Sequence, residues 1–96
     1  MPEWEKLREG ITKKSLARDP KSGLQVDLLR LEPGFVDKPH FHGNFEWVYI
    51  LEGSMEDERG VHVKGDFLVN GKGGPHRPSS KEGCLLLIVW SGKVRG

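Results

Sequence analysis

Glycine and proline punctuate this chain at short intervals, with thirteen of the first and six of the second in 96 residues. The runs between them are short and β-rich, the signature of an all-β sandwich or barrel. Strands are expected near "GITKKSLAR" (10–18), "LQVDLLRL" (24–31), "KPHFH" (38–42), "EWVYILEG" (46–53), "SMEDE" (54–58), "GVHV" (60–63), "DFLVN" (66–70) and "CLLLIVW" (84–90). The opening "PEWEKLRE" (2–9) reads as a helical turn or a loose arm. Turns are marked by "EPG", "DERG", "KGD" and "KEG". A small antiparallel barrel is the economical arrangement, because closing a sheet removes its exposed edges.

Alternation supports several of these strands. Leu24, Val26 and Leu28 fall on one face, the half-buried apolar one, and Gln25 and Asp27 on the other. By contrast, "WVYIL" (47–51) and "LLLIV" (85–89) are apolar on both faces, as central or doubly covered strands are.

Length and composition narrow the function. Ninety-six residues make one domain. With mean hydropathy −0.53 and a longest apolar run of seven residues, the chain has no stretch near the roughly 20 residues of a spanning helix. No secretory leader is recognisable, so a cytoplasmic location is expected. The formal charge is +1 and the basic residues are scattered, which gives no footprint for nucleic acid. The one cysteine, Cys84, cannot form an internal disulfide and is expected to be a buried structural thiol.

The chemistry concentrates in "PHFHGNFEW" (39–47) and "NGKGGPHRPSS" (70–80). His40 and His42 share a strand face, roughly 7 Å apart by the usual rise. A three-residue loop at Gly43-Asn44-Phe45 would set Glu46 opposite His42, with Cβ atoms about 5 Å apart. A two-residue turn at Gly43-Asn44 would instead send Glu46 to the other face. His76 is expected on a shaped loop between Pro75 and Pro78. Imidazoles with a carboxylate suit Fe, Mn, Zn, Ni or Cu and leave coordination positions open.

Gly34, His40, His42, Glu46 and Gly53 match G-x5-H-x-H-x3-E-x6-G, which resembles the first cupin motif at every position. Gly65, Gly73 and His76 resemble the second, with Gly71 and Ser80 standing where that family usually has proline and asparagine. The stretches "EWVYILEGSMEDERG" and "GDFLVNGKGGPHRPSSKEGCLLLIVW" are similar to the cupin-like domain of ChrR-type anti-sigma factors. The resemblance implies an all-β antiparallel cupin (jelly-roll) barrel. Residues 1–23 would be an arm and first strand, and 24–96 the barrel of a single domain. It also implies one divalent transition metal (Zn, Fe, Mn or Ni) held by His40, His42, Glu46 and His76, with no catalytic residue beyond the ligands. Nothing in residues 1–23 resembles the sigma-gripping zinc domain of those proteins, so capture of a sigma factor is not expected.

Two roles follow. One is a metal-dependent, dioxygenase-like enzyme acting on a small molecule; the other is a non-catalytic ligand-binding or sensing module. His62, between Val61 and Val63, is expected to face outward, and Arg77 to be solvated. Phe35, Phe41, Phe45, Trp47, Tyr49, Phe67 and Trp90 are expected in the core or at a subunit contact. Trp4 is expected to cross to a neighbouring subunit of a homodimer.

Overall fold

The computed structural model describes residues 3–38, 40–42, 45–71 and 73–91, and of 40–42 and 73–76 the backbone alone. Among the described residues there are eleven strands and no helix: β1 (Glu5–Arg8), β2 (Ile11–Arg18), β3 (Gln25–Leu31), β4 (Phe35–Val36), β5 (His40–His42), β6 (Glu46–Asp57), β7 (Gly60–Val63), β8 (Phe67–Asn70), β9 (Gly73–His76), β10 (Ser79–Ser80) and β11 (Cys84–Trp90). Every pairing is antiparallel. The main sheet runs β1-β2-β3-β11-β6-β10-β4, with β7 and β8 also pairing β6, while β5 and β9 form a separate two-stranded ladder.

Strand β11 pairs along its whole length with β3 on one side and β6 on the other. Its double-sided apolarity thus marks a central strand, as expected. Inward residues line up in rows across the sheet: Leu29–Leu86–Ile50, then Asp27–Ile88–Val48–Leu68, then Gln25–Trp90–Glu46–Asn70. The first row is wholly apolar, the second carries one carboxylate and the third is polar. With Ile11, Leu31, Phe35, Met55 and Cys84, the apolar members of these rows make the buried core. Each aliphatic side chain so buried contributes about 1.5–3 kcal/mol, so the apolar end holds the sheet and leaves the polar end for other work.

The sheet curls into a half-barrel whose two edges, β1 and β4, meet through side chains. Arg8 on β1 grips Asp37, the residue after β4, with Nε to Oδ1 at 3.2 Å and Nη2 to Oδ2 at 2.5 Å. The Phe35 ring packs where a side chain at Gly10 would otherwise stand. An ion pair of this forked kind fixes geometry as well as adding energy.

Several expectations change. Residues 2–9 contribute a strand, β1, which pairs with β2, rather than a helical turn. The two strands expected over 46–58 are one twelve-residue strand, Glu46–Asp57. It survives its middle by a bulge, in which Leu51 has no partner between Leu85↔Glu52 and Leu86↔Ile50. Gly53 follows at φ 77°, pressed against the Gly83 carbonyl, where only glycine fits. The glycine-rich stretch 71–78 includes strand β9 rather than being loop throughout.

On β3 the alternation is opposite to the expected sense: Asp27, Leu29 and Leu31 are buried inside, whereas Leu24 is exposed. The apolar outer residues Val26 and Leu28 instead continue an outer stripe through Val89 and Leu87. His62 also turns the other way. It lies opposite buried Met55, while Val61 and Val63 are exposed, because Asp57 binds its imidazole Nε2 at 2.9 Å. Trp4 stacks under Arg30 of its own chain, 5.2 Å from the ring centre.

Candidate metal centre and cavity

Three successive antiparallel ladders join the described parts of segments 35–49 and 67–80. Phe35 and Val36 pair with Ser80 and Ser79; His40 pairs with His76 and His42 with Gly73; Glu46 to Tyr49 pair with Asn70 to Phe67. The Asp37 amide donates to the Pro78 carbonyl between the first two ladders. The register therefore drifts by no more than a residue from one end to the other. His40, His42 and His76 lie on the middle ladder, where His40 and His76 are direct cross-strand neighbours, and Glu46 begins the third.

This corrects the expected route. Among the described residues β5 does not pair with β6, so His42 and Glu46 are not hairpin partners; β5 pairs with β9 and β6 with β8. The Gly43-Asn44 turn and the side chains of His40, His42 and His76 lie outside the described residues. Among the described side chains, no group of three His, Cys, Asp or Glu could hold a metal ion.

Glu46, the one candidate ligand whose side chain is described, is 4% exposed and lines the half-barrel cavity. Asn70, its cross-strand neighbour, donates Nδ2 to Glu46 Oε1 at 2.6 Å. The amide is held in that sense because its Oδ1 accepts from Arg59 Nη2 at 2.5 Å, and Arg59 Nη1 donates to the Val69 carbonyl. Asp57 in turn takes hydrogen bonds from Arg59 Nη2, at 2.7 Å, and from the His62 ring. Burial by itself would raise the Asp57 carboxyl, but the Arg59 and His62 contacts outweigh it and hold it down at about 2. A chain of charge-assisted bonds thus runs from the surface to the Glu46 carboxylate.

The cavity has a volume of about 210 Å³. Leu29, Phe35, Met55, Leu86 and Ile88 line its apolar part, and Gln25, Asp27, Glu46, Asn70 and Trp90 its polar part, with Lys13 and the Arg8–Asp37 pair also in its wall. Asp27 is 1% exposed; its Oδ2 accepts from Gln25 Nε2 and Trp90 Nε1, each at 2.8 Å. Sequence reasoning missed Asp27, Asn70 and Arg59. The signal for Asn70 was present, a polar residue two positions after Leu68 at the end of an alternating strand. For Asp27 the alternation pointed the wrong way.

The remaining residues fall simply. Arg77 is exposed, and its backbone N–H donates to Glu58. Phe35 is core, Trp90 lines the cavity, and Phe45, Tyr49 and Phe67 are exposed. Cys84 is buried, and desolvation raises its thiol pKa despite a Ser80 hydrogen bond that acts the other way.

Known proteins agree with this geometry at the level of fold and family. The family model described as the ChrR cupin-like domain matches residues 2–94. An RmlC-like cupin of Ralstonia eutropha superposes with TM-score 0.83 at 21% identity, over 95% of this chain and 64% of that one. The complex of Rhodobacter sphaeroides SigE with the anti-sigma ChrR gives TM-score 0.82 at 22% identity, covering 92% of this chain and 49% of that one. An acetylacetone dioxygenase of Acinetobacter johnsonii gives TM-score 0.82 at 16% identity, over 97% and 76% of the two chains. The chain therefore spans less than two thirds of two of these three. No curated protein matches its sequence closely.

Proposed function

Since the chain belongs to the ChrR cupin-like domain family, we propose that it binds one divalent transition metal through His40, His42, Glu46 and His76 and uses it on a small molecule in the half-barrel cavity. The observation that supports this reading is the run of three ladders, whose registers differ by no more than a residue and in which His40 and His76 are backbone cross-strand partners. The donor set fits a borderline metal such as Zn, Fe, Mn or Ni, and a buried carboxylate held by an amide suits a ligand that must keep one orientation. When bound, such a metal supplies a Lewis acid with coordination positions left for a ligand. The chain's own residues orient Glu46 through Asn70, shelter the cavity with apolar side chains, and close its edge with the Arg8–Asp37 pair.

A dioxygenase-like enzyme is the favoured role, in a cytoplasmic setting. It is tested on tag-free protein by elemental analysis, then by anaerobic loading with Fe(II) and measurement of oxygen uptake with diketone, phenolic and thiol substrates. Near-stoichiometric metal that falls in His76→Ala, with uptake on at least one substrate, supports it. Metal content unchanged in His76→Ala sinks the metal site itself.

The family match favours a second reading, a non-catalytic ligand-binding or sensing module. It predicts about one Zn per chain and ligand-induced thermal shifts without oxygen uptake. For either role a homodimer is proposed through the outer sheet face. There, Tyr49 and Phe67 are exposed cross-strand neighbours, and exposed Val69 pairs with Trp47 beside them.

A further inference from the structure

We infer that Asp27 is the acceptor that orients the cavity's ligand, and that this ligand is a small, largely apolar molecule bearing an O–H or N–H donor. The carboxylate is 1% exposed, and its two oxygens are treated very differently. Oδ2 accepts two N–H groups at 2.8 Å, from Gln25 and from the Trp90 indole. Oδ1 is equally buried and has no hydrogen-bond partner among the described residues. Native folds leave few buried acceptors unmade, because the lost hydration is not returned.

Two donors near Asp27 in the register make no hydrogen bond to Oδ1. Ser15 is the cross-strand partner of Asp27 on β2, and Lys13, two residues away, approaches Glu5 at 3.8 Å instead. Anchoring Trp90 accounts for Oδ2 alone. With Oδ2 fixed by those two N–H groups, Oδ1 is the oxygen left to accept from a group in the cavity that Asp27 lines.

The surroundings define the rest of the ligand. Leu29, Leu86, Ile88 and Met55 line the same cavity and suit an apolar body. The volume of about 210 Å³ leaves room for a single substituted ring. Asp27 sits one row from the polar row that holds Glu46, and two strands away from it, a span of about 10 Å between strands. A bound molecule would thus present its donor at one end and its other polar group near Glu46. This deepens the reading above by naming the ligand class of the same cavity, yet the hydrogen bond itself needs no metal.

The test uses the full chain stripped with a chelator, and two matched probes, phenol and toluene, which share shape and differ in one donor. Binding is followed by the indole N–H signals of Trp4, Trp47 and Trp90, that of Trp90 being identified with Trp90→Phe. The expected result is a preference for phenol of about fivefold or more, with the Trp90 signal moving. In Asp27→Leu the preference disappears while toluene still binds. Asp27→Val, which removes both carboxylate oxygens with less added bulk, also loses it, and serves where the leucine variant does not fold. Equal affinities in the wild type, no binding of either probe, or a preference that persists in a folded variant overturns the inference. Because metal is absent throughout, failure of the proposed metal site leaves this outcome untouched, and the reverse holds as well.

Discussion

Asn70 and Glu46 face each other across β8 and β6, both buried, with the amide N–H of one 2.6 Å from the carboxylate oxygen of the other. Arg59 occupies the amide oxygen of Asn70, so the amide can present only its N–H₂ to Glu46. Replacing Asn70 by leucine removes the donor and keeps the volume. The fold should lose about 1–3 kcal/mol in denaturant titration, the cost of a buried acceptor left unmade. Metal affinity, read by competition with a chelator, should fall roughly 10- to 100-fold.

Arg59 should act on Glu46 only through Asn70. Arg59→Met therefore weakens metal binding in the presence of Asn70 and adds little in the Asn70→Leu background. A double-mutant cycle in metal affinity measures this, and strictly additive effects would contradict the relay.

The Asp57 carboxyl, held down at about 2 against an ordinary 3.8, ties stability to acid pH. Its folded-state pKa lies below the unfolded one. The stabilisation is therefore fully present above about pH 4 and is lost as pH falls toward about 2. Asp57→Asn should cost of order 1 kcal/mol at neutral pH, an amount kept small because Arg59 is partly solvated. The gap between wild type and variant should close as the pH is lowered across that window, as urea midpoints at several pH values would reveal.

Cys84 lies under the β3–β11–β6 sheet with its thiol pushed up by burial. A thiol-reactive chromogenic disulfide at neutral pH should label it slowly in the native protein and rapidly in denaturant. Fast labelling of the folded chain would mean that this end of the core opens readily.

Gly53 holds a left-handed φ of 77°, and a methyl group there would overlap the Gly83 carbonyl oxygen. Gly53→Ala combines backbone strain with a clash that neither strand can relieve, so a loss of at least about 2 kcal/mol is expected. Thermal denaturation checks it; a variant as stable as the parent would place the bend elsewhere.

Local pattern made some of this readable in advance. Strands β3, β7 and β11 follow alternation or short apolar runs between turn residues, and their bounds are close to those expected. The two motifs that contain His40, His42, Glu46 and His76 pointed to the cupin family, and the family match over residues 2–94 agrees with that family. Strand β1 was not readable, because four exposed residues bear no burial pattern and owe their conformation to pairing with β2. The sense of β3 was not readable either, since aliphatic residues stand on both faces, Val26 and Leu28 outside and Leu29 and Leu31 inside.

By itself, then, the sequence determined an all-β chain, the placement of its turns, and the spacing of three histidines and a glutamate. Those follow from interactions between residues near one another along the chain. Tertiary structure alone decided that three ladders join 35–49 and 67–80, that Asn70 and Arg59 hold Glu46, that Asp27 faces inward, and that Arg8 reaches Asp37 to close the sheet. Each joins residues at least ten positions apart or depends on which face of the sheet is covered. Register and curvature fix such relations, and no local periodicity encodes them.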